Sequence, residues 1–461
     1  YSLVKTNNVP VASNVSAATL KNTDTKIHLV ASDPEFDTLT YSIRSEPSNG
    51  TATLSGDTVT YTPNTDFVGT DTFSFKASDG DAGDSSEVKT VTIKVFKNYL
   101  SLATQIGKDI NGEGYNNQSG YSVSFNEDAT IMAIGANNSY GSGSNSGHVR
   151  VFQFSNYSWS QLGENINGEA SSDYFGGSVS LSSDGNTLAI GAINNDGNGS
   201  NSGHVRIYNY NGTTWSQLGD DINGEAAGDY SGWSVSLSSD GNTVAIGANQ
   251  NDSNGSDSGH VRVYNFTNGT TWTQLGSDIE GEDGNDQSGY SVSLSSDGNT
   301  LAIGAIFNNG NGSDSGHVRV YNYNGTAWSQ LGEDIDGEAS NDHFGFSVSL
   351  SSSGKTLAVG GYYNDGNGSD SGHVRIYNYN ENVWSQLGSD IDGEAANDYS
   401  GWSVSLSSDG TTLAIGAYGN NGNGNIGENT GHVRVFQFSN DSWSQLGSDI
   451  DGEAAGDYSG W

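Results

Sequence analysis

The chain contains no cysteine, four prolines and one methionine in 461 residues. The missing cysteine excludes a disulfide framework and leaves the redox compartment open. No run of 18 apolar residues occurs, so the sequence offers no helical membrane span. Basic residues are scarce too: 16 Lys and Arg stand against 54 Asp and Glu, for a net charge of −38. Nucleic acid is therefore not an expected partner, because phosphate contacts need cationic side chains. The acidity suits a solvated surface or one that gathers cations.

What is plentiful is glycine, 65 residues, together with an aromatic fraction of 10 %. Val, Ile and Leu recur in alternation, which argues for many short strands joined by polar turns rather than for disorder. The chain also changes character along its length. All four prolines (Pro10, Pro34, Pro47 and Pro63) lie in the first 98 residues, and most of the negative charge lies beyond them. A boundary is expected near Lys97–Ser101.

Before that boundary, Thr58–Tyr61, Thr72–Phe75 and Thr90–Val95 alternate with period two, and Asn49-Gly50 and Ser55–Asp57 supply turns. Several short strands in about 90 residues predict a β-sandwich. The segments A-S-D-P-E-F-D-T-L-T-Y (Ala31–Tyr41), P-S-N-G-T (Pro47–Thr51), V-T-Y-T-P (Val59–Pro63) and A-S-D-G (Ala77–Gly80) resemble bacterial cadherin-like (Ig-like) domains. The resemblance implies one such domain over 8–97, with 1–7 the end of a preceding domain. It also implies calcium positions at Asp33 and Asp37, although Glu35 and Phe36 stand where the family has Asp and Gly.

After the boundary the chain repeats itself. G-H-V-R begins at Gly147, Gly203, Gly259, Gly316, Gly372 and Gly431, W-[ST]-Q-L-G follows in each copy, and G-x-S-V-S precedes it. Each unit of about 57 residues holds four strand-like pieces; in the third they are Gly232–Ser238, Thr243–Ala248, His260–Asn265 and Thr271–Ile279. The S-S-D-G-N turn between the first two and turns such as Asn211-Gly212 between the last two predict a four-stranded meander. Six such units predict an all-β propeller over 98–461. A leading fourth strand at Ala103–Ile110 and a first strand starting at Gly460 favour seven blades, the last incomplete in this chain, with six as the alternative. Pairing of Ala103–Ile110 with Val433–Phe438 would establish six.

The repeats resemble the FG-GAP repeats of integrin α-subunit propellers, through F-G-x-S-V-S-L (Phe344–Leu350), T-L-A-I-G-A (Thr187–Ala192) and G-H-V-R-I-Y (Gly203–Tyr208). That family's calcium loop lies between strands one and two. Here the connection is S-S-D-G-N, so the inherited site is missing from its usual place.

Two other loops carry the expected sites. In the connection from strand four to strand one, Asp221, Asn223, Glu225 and Asp229 fall at positions 1, 3, 5 and 9, a spacing by which calcium loops wrap their ion. Asp334, Asp336, Glu338 and Asp342, then Asp390, Asp392, Glu394 and Asp398, repeat it, as do Asp449, Asp451, Glu453 and Asp457. The bland alternative is an acidic turn with each Glu paired to a base. The connection from strand two to strand three offers Asp196, Asp252 and Asp365. Meander topology puts both acidic loops on one face. Trp233 and Trp402 follow the first-strand glycine and are candidates for stacking on sugars, or for packing between blades. Every Ser–His–acid grouping is copied around the ring, so no single catalytic constellation stands out. The expectation is a non-enzymatic binding segment of an extracellular, secreted or cell-surface repeat protein. Flanking domains, calcium, and a protein or glycan partner are expected with it. A lectin-like propeller is the first alternative and a glycoside hydrolase the second.

Overall fold

The computed structural model describes residues 8–35, 37–80, 85–96, 105–155, 158–267, 269–421 and 429–461. The chain divides into two compact units, one ending at Gln105 and the other running from Ile106 to Trp461.

The first unit is a two-sheet sandwich. Strands Val15–Leu20, Lys89–Phe96, Gly69–Ser78 and Thr40–Ser45 form one sheet in that order, with the first pair parallel. Thr25–His28, Thr58–Pro63 and Gly50–Ser55 form the other. The period-two alternation of the sequence turns Val59, Tyr61, Phe73, Phe75, Val91 and Ile93 into one buried core. Asp71 is buried beside it. Its carboxylate accepts hydrogen bonds from the backbone N–H of Ser48, Asn49 and Thr72 and from the Tyr61 hydroxyl. Four donors satisfy a charge that would otherwise be costly to bury.

The second unit contains six antiparallel blades among its described residues. In the third, Ser234–Leu237, Thr243–Ala248, His260–Thr267 and Thr271–Gln274 pair in sequence. The fourth strand is not continuous to Ile279 as the sequence suggests. It breaks after Gln274, and Ile279–Glu280 returns to the third strand opposite His260 and Val261. The break lies at Gly276, whose φ is +80°. The indole of Trp328, from the next blade, sits 3.0 Å from where a Cβ on Gly276 would be. A side chain there would clash as well as strain the backbone. Gly163, Gly219, Gly332 and Gly388 take the same role against Trp215, Trp272, Trp384 and Trp443, which explains that part of the motif.

The S-S-D-G-N turns form as tight hairpins. Ser238 donates to Asp240, whose carboxylate accepts the N–H of Asn242, and Gly241 holds φ +69°. The hairpins also link to one another: Ser183 N–H donates to Ser239 O, Ser239 to Ser296, Ser296 to Ser352 and Ser352 to Ser408.

Each hydrophobic core is shared between two blades. Ala245, Val261 and Val263 of one blade pack against Leu294, Leu301 and Ile303 of the next. No blade buries both its faces alone, so blade stacking is what stabilises the repeat. Tryptophans tie the outer edges: the indole N–H of Trp215, Trp272, Trp328 and Trp384 donates to the carbonyls of Leu162, Leu218, Leu275 and Leu331.

Of the expected leading strand, Ala103 and Thr104 lie outside the described residues, and 105–110 forms no strand. An outermost strand has nothing to pair with when its own blade's third strand is missing. The segment nevertheless occupies an outer-strand place. Ile106 O accepts the Trp159 indole N–H, and Asn111 O accepts Arg150. It does not pair with His432–Ser439, whose partner strands all belong to the sixth blade. At the other end Gly460 O accepts the Ser403 hydroxyl, as Gly401 O accepts Ser347. Tyr121, Gly177, Trp233, Tyr290, Phe346, Trp402 and Trp461 then line one axial cavity, giving seven positions about the axis.

Candidate functional site

The strand-four-to-one and two-to-three loops meet on one face, as the meander requires. Asn198 Nδ2 donates to Gly224 O and Glu225 O, and Asn367 Nδ2 does the same to Gly393 O and Glu394 O.

The four oxygen positions of each strand-four-to-one loop have separate destinations rather than one centre. Asp221 accepts Arg206 Nε at 2.8 Å and Gln217 Nε2 at 2.6 Å. Asp390 accepts Arg375 Nε at 3.1 Å, and Asp334 accepts Gln330. Asn223, Asp336 and Asp392 are paired in the short returning strand opposite His204, His317 and His373. The carbonyls of Asn223 and Asp392 accept Arg262 and Arg434 of the following blade. Glu225, Glu338 and Glu394 reach forward to Arg262, Arg375 and Arg434. Asp229, Asp342 and Asp398 are buried caps: their Oδ2 atoms accept Ala226 N–H, Ala339 N–H and Ala395 N–H. They also hold the next loop where Asn251 and Asn364 donate to Asp229 and Asp342.

Asp196, Asp252 and Asp365 close their own loops by accepting the N–H of Asn201, Asp257 and Asp370. In the sandwich, Asp33 accepts the N–H of Glu35 at 2.9 Å and of Asp37 at 3.0 Å, an Asx-type turn.

Trp233 and Trp402 lie at the axis, on the acidic-loop face. They belong to a collar: Trp233–Tyr290, Tyr290–Phe346, Phe346–Trp402 and Trp402–Trp461 have ring centroids 5.3, 5.0, 4.4 and 4.7 Å apart. The cavity it lines measures about 260 Å³. On the hairpin face a wider mouth of about 960 Å³ is lined by Leu181, Leu237, Leu294, Leu350 and Leu406 with the hairpin serines.

The collar grows into a patch on one side, which the repeat pattern concealed. Where the second and third blades carry Ile193-Asn194 and Asn249-Gln250, the later ones carry Phe307, Tyr362-Tyr363 and Tyr418. Tyr399 and Tyr418 stack at 5.1 Å and 11°, and Tyr362 lies 4.3 Å from Phe346 and 5.0 Å from Trp402. His343 packs edge-on against Phe307 and Tyr363. Burial, then the neighbouring Tyr399, pushes the Tyr418 hydroxyl up to about 12, and burial likewise raises Tyr362 and Tyr290. These phenols are therefore neutral hydrogen-bonding groups. The signal was available in the sequence as departures from the repeat at these positions.

Two family models match the chain. One, described as a bacterial Ig domain, covers residues 7–94. The other, described as FG-GAP repeat, covers 167–208, 223–264, 279–321, 335–377 and 391–436. No curated protein matches. Among solved structures, a periplasmic gluconolactonase of Pseudomonas aeruginosa is 13 % identical, with 83 % of this chain and 93 % of that one covered and a TM-score of 0.48. A GH74 xyloglucanase from Xanthomonas campestris is 10 % identical, covering 88 % and 55 %, with a TM-score of 0.45. The β-propeller domain of the Trilobed protease from Pyrococcus furiosus is 8 % identical, covering 71 % and 84 %, with a TM-score of 0.42. All three TM-scores fall below 0.5, and nothing about chemistry follows from them. Sandwich, blades and family matches agree: the chain is a bacterial Ig domain followed by a propeller of FG-GAP repeats.

Proposed function

We propose that the propeller is a non-enzymatic interaction platform of an extracellular or cell-surface protein, and that it takes a partner protein on its acidic-loop face. The observation that carries the reading is the aromatic patch of Phe307, Tyr362, Tyr363, Tyr399 and Tyr418. It breaks the repeat symmetry on one side of that face and is rimmed by acidic loops. Partly buried aromatics within a polar rim are the composition of binding hot spots. A Tyr363→Ala/Tyr418→Ala variant tests it. Cross-linking capture from the producing culture is expected to lose its partner while the melting temperature changes little. Capture unchanged by the substitutions would overturn the reading.

A glycan is the second reading, favoured by the collar of Trp233, Tyr290, Phe346 and Trp402 around a cavity of about 260 Å³. That volume suits a sugar ring better than a polypeptide loop. A glycan array with no Trp233-dependent signal would remove it. Calcium belongs to the proposal as a stabilising ion at the acidic loops. An unfolding midpoint that is the same in calcium and in chelator, at fixed ionic strength, would dismiss calcium.

A further inference from the structure

Among the described residues, a histidine, an aspartate and a glutamate converge five times around the propeller, with one ligand-type atom of each within 4.8 Å of the others. In the third blade His260 comes from the third strand, Asp278 from the break in the fourth, and Glu225 from the loop arriving from the second blade. His260 Nδ1 lies 4.0 Å from an oxygen of each carboxylate. That is too long for a hydrogen bond. His260 is completely buried, and neither ring nitrogen has a partner; the same holds for His432 with Glu394 and Asp449. In the fourth blade His317 lies 3.9 Å from Glu282 and 4.0 Å from Asp334. A buried imidazole nitrogen aimed between two carboxylates and bonded to neither is costly as it stands.

The other copies show what balances the two carboxylates, although His373 in the fifth blade is as buried and as unpartnered as His260. In the first blade Asn165 replaces the aspartate and donates to Glu113 at 2.8 Å. In the second and fifth blades Arg206 and Arg375 turn in and bind Asp221 and Asp390 with two nitrogens each, and contact Glu169 and Glu338 as well. In the third, fourth and sixth blades the same arginine leaves the aspartate, and its Nη1 stays 3.5, 3.5 and 3.9 Å from Glu225, Glu282 and Glu394. Arg262, Arg319 and Arg434 lie 5.6, 5.6 and 5.3 Å over the rings of Tyr264, Tyr321 and Phe436 and donate to carbonyls of the preceding blade. Asp278, Asp334 and Asp449 are then left without an arginine beside the imidazole: burial, then Arg262, pushes His260 down to about 4, and burial, then Arg319, does the same to His317.

We propose that Glu225–His260–Asp278, Glu282–His317–Asp334 and Glu394–His432–Asp449 are inter-blade sites for a divalent first-row transition ion of the zinc class. Each offers one imidazole nitrogen and two carboxylates, the ligand set of a three-residue zinc site with water in the fourth position. Bond lengths of about 2.0–2.2 Å put tetrahedral ligands about 3.3 Å apart. Closure from about 4 Å is within reach of carboxylates such as Glu225 and Asp278, which are 42 % and 25 % exposed. Calcium fits these positions poorly, because it takes 6–8 oxygen ligands. The ion and the inward-turned arginine are alternative occupants, so a blade holds one or the other. Each ion bridges two blades and adds a second link beside the arginine's bonds to the preceding blade. This site is separate from the partner platform, and failed partner capture would leave it standing.

The test is Zn²⁺ titrated by calorimetry into the untagged chain with millimolar Ca²⁺ present. About three Zn²⁺ per chain are expected, with a raised melting temperature. In Asp278→Asn/Asp334→Asn/Asp449→Asn these sites are expected to weaken about 100-fold or more. The fold is retained there, since Asn165 already fits the place. Absence of binding, unchanged binding in the triple variant, or displacement by equimolar Ca²⁺ would each overturn the proposal. Should the triple variant misfold, Asp278→Asn alone is expected to lower the stoichiometry by about one, and an unchanged stoichiometry overturns it.

Discussion

The inner blade interfaces and the propeller's two outer faces are built from the same repeat, yet they differ in everything packing supplies. Ile222, Ile279, Ile335 and Ile391 close the returning strand of their blades and are buried against the next blade. Ile450 takes the same position in the sixth blade and is 43 % exposed. At the opposite face, Phe125 of the first blade is 47 % exposed where Leu181, Leu237 and Leu294 are buried. The residue types are alike, so burial comes from the neighbouring blade and not from the repeat. A repeat of this kind carries half of each of two cores.

The largest test of that contrast removes the same side chain in both settings. Leu301 is fully buried between the third and fourth blades. Leu301→Ala is expected to cost about 2–5 kcal/mol. Met132 holds the corresponding position in the first blade, only half-buried, and Met132→Ala is expected to cost about 1 kcal/mol or less. Denaturant midpoints read both. Appending one further repeat after Trp461 sharpens the comparison: the outer faces become interfaces, the melting temperature rises, and the cost of Met132→Ala grows toward that of Leu301→Ala. Equal costs before the addition would mean that blades are stable without neighbours.

The periodic part of this organisation was legible in the sequence. Strand positions and the common face of the two acidic loops follow from local rules that six copies repeat, and the D-G hairpins from one that four copies repeat. The break in the fourth strand was not, because Gly276 is shaped by Trp328 from a neighbouring blade, a contact no local pattern encodes. The partners of the acidic loops were hidden for a related reason. Asp221, Glu225 and Asp229 have a one-ion spacing along the chain, but the inter-blade stagger sends Asp221 to its own blade's arginine and Glu225 to the next blade's. The aromatic patch was hidden because the repeat drew notice to what is shared, while Phe307, Tyr363 and Tyr418 are departures from it.

A smaller effect separates the outer edges. Trp328 donates its indole N–H to Leu275 O at 2.8 Å across an inner interface, whereas Trp159 donates to Ile106 O at 3.1 Å in an exposed setting. Trp328→Phe leaves a half-buried carbonyl short of its donor and is expected to cost about 1 kcal/mol. At Trp159 water can replace the lost donor, and the expected cost of Trp159→Phe is about a few tenths of a kcal/mol. Thermal unfolding of the pair measures the difference, and a larger loss at Trp159 would break the comparison.

The smallest effect is a gain, and it arises where the first blade departs from the others within a hairpin. Gly185, Gly241, Gly298, Gly354 and Gly410 hold φ between +66° and +73° at the turn. The first blade has Ala129 there, at φ +55°. An L-residue in the left-handed region costs roughly 1–2 kcal/mol through its Cβ. Glycine removes that strain but returns about 0.4–1 kcal/mol to the unfolded chain as backbone entropy. The balance is a net stabilisation of about 0.5 kcal/mol for Ala129→Gly. The reverse change at an inner hairpin, Gly241→Ala, is expected to cost more than this. A Cβ on Gly241 would lie 2.7 Å from the Thr187 side chain of the preceding blade, so a steric clash adds to the strain. The two variants therefore divide the turn's own preference from the contribution of the neighbouring blade. Ala129→Gly reads the backbone alone, and the excess loss in Gly241→Ala reads the interface. If the two shifts in melting temperature were equal and opposite, the hairpin would be indifferent to the blade behind it, and the contrast between inner and outer faces would end at the hydrophobic cores.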